Sequence, residues 1–105
     1  MADEPQYGPV GTRVVFENDS VRVWEVDLAE GEAQALHRHD HSYLVIPLTE
    51  GHNEMRYASG RLVNTNEAPG MALWREPGEP HSLLNTTGAR YRNILVELKA
   101  PVTPA

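Results

Sequence analysis

From Val21 to Leu28 the chain runs Val-Arg-Val-Trp-Glu-Val-Asp-Leu, which places Trp24, Val26 and Leu28 on one side of an extended backbone and Glu25 and Asp27 on the other. That two-residue period is the signature of a strand with one face against a core. Further β-rich runs occupy Thr12 to Phe16, Ser42 to Leu48, Glu54 to Ala58, Arg61 to Thr65, Met71 to Trp74, His81 to Asn85 and Tyr91 to Leu98. Turn signals part them at Asn18-Asp19, Glu30-Gly31, Glu50-Gly51, Ser59-Gly60, Pro69-Gly70, Pro77-Gly78 and Thr87-Gly88. No stretch combines a helical period with freedom from breakers, so the pattern predicts an all-β, antiparallel double-sheet sandwich or barrel.

At 105 residues the chain has the length of one domain, and 40% hydrophobic against 23% charged residues lies in the globular range. The expected unit is a single domain over 1–105, with its core at about 12–99 and the Pro-containing ends, Met1 to Gly11 and Pro101 to Ala105, as loosely held arms. Fifteen acidic against nine basic residues give a net charge of -6, which disfavours nucleic acid. No run has the length of a membrane span, and Met1 to Gln6 is acidic and polar where a secretory signal is basic and then apolar, so a cytoplasmic protein without a membrane partner is expected. Cysteine is absent, so any metal must be held by nitrogen and oxygen.

The candidate chemistry is histidine. His37, His39 and His41 alternate in Leu-His-Arg-His-Asp-His-Ser-Tyr, and on extended backbone their imidazoles and the Tyr43 phenol point the same way. His81 follows some forty residues later, after the Pro77-Gly78 turn. Two nitrogen donors from one segment and a third from a distant strand would close a site suited to Zn, Cu, Fe or Ni, with positions open for water or substrate. The same residues are compatible with polar turn positions or with hydrogen-bonded core histidines.

Two spaced motifs then carry a resemblance to a known family. Gly31, five residues, His37-Arg38-His39 and, after a strand, Gly51 follow the first motif of the cupins, and Gly70, Gly78, His81 and Asn85 follow the second. The chain therefore resembles a small single-domain cupin, over nearly all of Thr12 to Lys99. The glycines are expected at turns with positive φ or at close backbone approaches. The resemblance departs from the family at two places. The metal-binding glutamate is replaced by Tyr43 or Leu44, depending on the spacing counted, and Glu76 takes the place of the motif proline.

The resemblance implies a jelly-roll barrel with one divalent metal on His37, His39 and His81, His41 as a candidate fourth ligand, and Tyr43 as a phenolic partner. Three-histidine iron cupins include oxygenases, which makes Fe(II), a small chelating substrate and dioxygenase chemistry the leading expectation, with Tyr43 or His41 orienting the reactants. The alternatives are redox-neutral Lewis-acid catalysis on Zn, Ni or Mn, with His41 or Glu76 moving a proton, and a non-catalytic ligand-binding barrel. Arg38, Arg56, Arg75, Arg90 and Arg92 are candidate anchors for a substrate carboxylate, set against the plainer reading of a solvated strand face. Trp24 and Trp74 are read as core residues, and Asn85 as a turn-holding hydrogen-bonder. Unpaired strand edges, and the family's habit of pairing through them, point to a homodimer through the arm from Tyr7 to Phe16.

Overall fold

The computed structural model describes residues 7–99. Eight strands form two antiparallel sheets: β1 (Arg13–Glu17), β2 (Val21–Leu28), β3 (Tyr43–Pro47), β4 (Gly51–Tyr57), β5 (Leu62–Glu67), β6 (Leu73–Arg75), β7 (His81–Leu84) and β8 (Tyr91–Leu98). One sheet has the order β1-β2-β8-β3-β6 and the other β5-β4-β7. Among the described residues there is no helix, and therefore none long and apolar enough to cross a membrane. Each predicted run holds a strand, and the expected all-β, double-sheet jelly roll is the architecture observed.

The core lies between the sheets. Val26, Leu28, Tyr43, Val45, Leu83, Tyr91 and Leu95 are buried there, with Trp24, Met55 and Leu73 packed against them. β8 shows the alternation most cleanly, its odd-numbered residues buried and the even-numbered ones half-buried. Glu25 faces away from that core, as its phase on β2 predicts. It is nonetheless buried, because the guanidiniums of Arg13 (2.6 Å) and Arg92 (3.0 Å) cover its carboxylate. On the same outer face the register aligns Phe16, Val23, Val96, Leu44 and Trp74 across five strands.

Two expectations need correction here. The segment before Thr12 is not wholly a loose arm: Val10 is buried in the core, its carbonyl accepts from Gln34 Nε2 (3.1 Å), and the Gly8 N–H donates to the Leu36 carbonyl (2.8 Å). Residues 1–6 and 100–105 lie outside the described set. Trp74 is not core. It stands 49% exposed on the edge strand β6, while Trp24, on a central strand, is half-buried and donates from its indole to Glu97.

The motif glycines divide by cause. Gly31 and Gly70 have φ of +77° and +88°, a conformation that a side chain disfavours. Gly51 is a close approach, since a Cβ there would lie 2.5 Å from the Tyr91 ring. Gly78 shows neither constraint. Asn85 holds its turn as expected. Its Nδ2 lies 2.8–3.1 Å from the carbonyls of Leu28, Ala29 and Ala89, and its Oδ1 accepts from Thr87 N–H (2.9 Å). With Asn85 only 1% exposed, truncation strands those groups away from water. Asn85→Ala is expected to lower stability in urea denaturation by about 2–4 kcal/mol; a loss below about 0.5 kcal/mol would show that these bonds do not hold the turn.

Candidate metal centre

His37 and His81 meet through their backbones before their side chains. Each N–H donates to the other's carbonyl, at 2.9 and 2.8 Å, forming an isolated antiparallel bridge; a second such bridge joins Ala33 to Leu84. The irregular segment carrying the first two histidines is thereby docked along β7, and the His37 and His81 rings stand edge to face with centroids 4.7 Å apart. Two residues on, His39 brings its ring to 5.0 Å from His37 and 5.1 Å from His81. One nitrogen from each of the three rings lies within 4.8 Å of the others, and the group contains no carboxylate.

His41 does not join them. A bend at His41 interrupts the extended path, β3 begins only at Tyr43, and His41 lines neither cavity at the site. The strict alternation read from the sequence thus fails one residue pair short of the strand. Tyr43 does reach the site, stacking flat on His39 at 3.8 Å between centroids.

The electrostatics follow from burial. His39 is pushed down to about 3, by burial first and then by the neighbouring His37 and His81. His81 falls to about 4 by burial, then by His37 and Arg75, against an opposing pull from Glu79. Burial also lowers His37. All three imidazoles are therefore neutral at physiological pH, each with one ring nitrogen carrying a lone pair. For His37 the tautomer follows from its partner: Nδ1 lies 2.9 Å from the Ala35 carbonyl, which can only accept, so Nδ1 holds the proton and Nε2 the lone pair. His39 Nδ1 is buried without a protein partner among the described residues. Three buried, neutral imidazoles, each with a lone pair to give and one with an orphaned nitrogen, fit a divalent metal of the Zn, Fe, Ni or Cu class.

Two spaces flank the trio. Inside, a cavity of about 40 Å³ runs from His37, His39 and Tyr43 past Val45 and Leu95 to Tyr91, Asn93 and Glu67, enough for about three waters. There Tyr91 donates to the Glu67 carboxylate and accepts from Asn93 Nδ2 (2.7 Å). Outside, a mouth of about 200 Å³ opens over His39, His81 and Tyr43 and is walled by Tyr57, Arg75, Glu76 and others. The mouth lies where strand ends converge: Tyr43 begins β3, opposite Arg75 at the end of β6, and His81 begins β7, opposite Tyr57 at the end of β4. Burial raises the Tyr43 phenol to about 12, so it stays protonated. Glu76, solvent-exposed, accepts from Trp74 Nε1 (2.7 Å) and Ser42 Oγ (2.8 Å), which lower its pKa.

No family model matches the chain. It is 31% identical over 102 residues to the beta-alanine degradation protein BauB of Pseudomonas aeruginosa, covering 94% of this chain and all of that one. The chain belongs to the family of BauB, within the cupins. Among solved cupins, a domain from Bordetella pertussis is 26% identical with a TM-score of 0.78, spanning 93% of this chain and all of its own. A cupin superfamily protein from Desulfitobacterium hafniense shares the fold at 15% identity and TM-score 0.64, over 93% and 84% of the two chains.

In this cupin the replaced motif glutamate is not compensated in space. Glu67 lines the inner cavity, but it is engaged by Tyr91 and lies outside the ligand group. Tyr57, Arg61 and Glu67 are site residues that the sequence reading did not single out, because only the pairing of β4 with β5 and β7 brings them there. Of the five candidate arginines, four are in ion pairs: Arg38 with Asp40, Arg56 with Glu54, Arg90 with Asp27 and Arg92 with Glu25. Arg75 alone lines the site.

The depressed imidazoles have a signed consequence for the metal-free protein. The unfolded chain takes up protons near pH 6.5, while His39 and His81 in the folded chain do so only near 3 and 4. Stability is therefore full above pH 6.5 and falls as pH drops through that value toward the folded pKa values. In chelator-treated protein the urea midpoint should decline between pH 6.5 and 5, before most carboxylates titrate, and His39→Gln should flatten the slope. A flat wild-type profile over that window would refute the neutral buried trio. A metal at about 100 times its Kd should raise Tm by roughly 10 °C.

Proposed function

We propose that this cupin is a metal-dependent oxidoreductase of the dioxygenase kind, holding Fe(II) on His37, His39 and His81 and acting on a small chelating organic molecule. The observation that carries the reading is the ligand group itself: three neutral imidazoles and no carboxylate. Three neutral ligands leave the full charge on the cation, and such a centre, when loaded, would supply a Lewis-acidic, redox-active ion with positions open to substrate and oxygen.

The chain's own residues then have definite roles. Tyr43, protonated and stacked on His39, presents an O–H that donates to a substrate oxygen at the mouth. The Tyr57 ring, edge-on to His81 at 5.4 Å, fixes that imidazole from the other side. Val26, Val45, Leu83 and Leu95 line the inner cavity and keep bulk water from the ligands. Glu76, ionised at the rim, can accept a proton from substrate; its lowered pKa makes it a weak base, so holding Ser42 and Trp74 is its larger role. The link of BauB to beta-alanine degradation supports a place in the breakdown of small organic molecules.

The test is metal content by mass spectrometry on untagged protein, paired with oxygen uptake. Near-stoichiometric iron, lost by more than tenfold in His81→Ala, and substrate-dependent oxygen consumption are expected. Tyr43→Phe should retain the iron and lower turnover about ten- to a hundredfold. Stoichiometric zinc, nickel or manganese with no oxygen uptake would replace this reading with redox-neutral catalysis.

A further inference from the structure

The acidic chain spends nearly all of its positive charge on internal pairing. Of nine Lys and Arg side chains, seven are in ion pairs with Asp or Glu. Among the described residues the two outside such pairs are Arg61 and Arg75, and both line the mouth over His39 and His81. They arrive by separate routes. Arg75 ends β6 directly opposite Tyr43, so it shares the inward face with the residue that stacks on His39. Arg61 follows the tight turn after β4, where its guanidinium lies 4.1 Å from the centroid of the Tyr57 ring. That ring in turn abuts His81.

We propose that Arg75, assisted by Arg61, is a carboxylate-binding element, and that the ligand of this cupin is a small organic acid. This rests on the mouth being the substrate entrance of the metal centre. Arg75 is solvent-exposed at the end of its strand, yet it lines both the inner cavity and the mouth, which places it at the centre. The two acids of the mouth are already engaged: Glu76 accepts from Trp74 and Ser42, and Glu79 accepts from the Ser59 N–H at 2.8 Å. Neither is within ion-pair reach of an arginine. An incoming carboxylate therefore meets a guanidinium with its donors unclaimed by an acid, a geometry that favours bidentate binding. At about 200 Å³ the mouth is below the range of about 300–1,000 Å³ that holds drug-sized ligands, which limits the acid to a few heavy atoms.

The probe is malonate, with neutral malonamide as its control, titrated calorimetrically into metal-free and metal-loaded protein. In both forms malonate is expected to bind and malonamide not. Arg75→Gln should weaken malonate at least tenfold, Arg61→Gln about threefold and Arg75→Lys by an intermediate factor, with circular dichroism and metal uptake unchanged. Arg56→Gln, which removes a paired arginine away from the mouth, should bind as wild type does. Should Arg75→Gln fail to fold, the preference of wild type for malonate and its threefold weakening in Arg61→Gln still decide the matter. Arginine-dependent malonate binding in protein that never takes up metal would uphold the acid site and overturn the metal reading. Full metal uptake with malonate and malonamide bound alike, or neither bound, would overturn the acid site and leave the metal reading standing.

Discussion

An imidazole taken out of water gives up its proton first. Three imidazoles taken out together do so more readily, because a charge on any one would be repelled by charge on the others across a few ångströms of poorly screened interior. His37, His39 and His81 live under that constraint, and the surroundings are arranged to maintain it. The apolar walls that keep water from the rings, among them Val26, Val45, Leu83 and Leu95, belong to the core that joins the two sheets or to its lining. Packing and ligand chemistry are thus properties of the same side chains, and a change that loosens one admits water to the other.

Much of this architecture was legible in the order of residues. The strand β2 was marked by its alternation and β8 by a β-rich run between turn signals, and both match the predicted bounds, because each is long and central and its phase is dictated by one buried face. The three-histidine group was legible because the histidine spacing and the two glycine-bearing motifs mark His37, His39 and His81. Errors gathered where backbone departs from regular extension or where burial is decided by a neighbour. His41 was misplaced because a bend, not a strand, follows His39. Trp74 was assigned to the core because an aromatic on a three-residue edge strand carries no local sign of which side is covered. Glu67, Arg61 and Tyr57 could not be found at all, since their relation to the histidines exists only through the pairings of β4.

The distribution of charge follows a similar logic at longer range. A chain with an excess of acid can neutralise almost every cation it carries, and here it does so on strands of both sheets and in the turns. The buried outward carboxylate of Glu25 is the extreme case, tolerable only because two guanidiniums lie over it. Against that background, an arginine left without an acid is conspicuous for where it stands rather than for what it touches.

The bridge between His37 and His81 is made by peptide groups, so it does not depend on what the two side chains are. An imidazole can be exchanged for another residue of similar bulk while the crossing segment remains fastened to β7. Shape and chemistry are thereby separable: a lineage built on this clasp is free to change what the rings can hold and still inherit the same vessel.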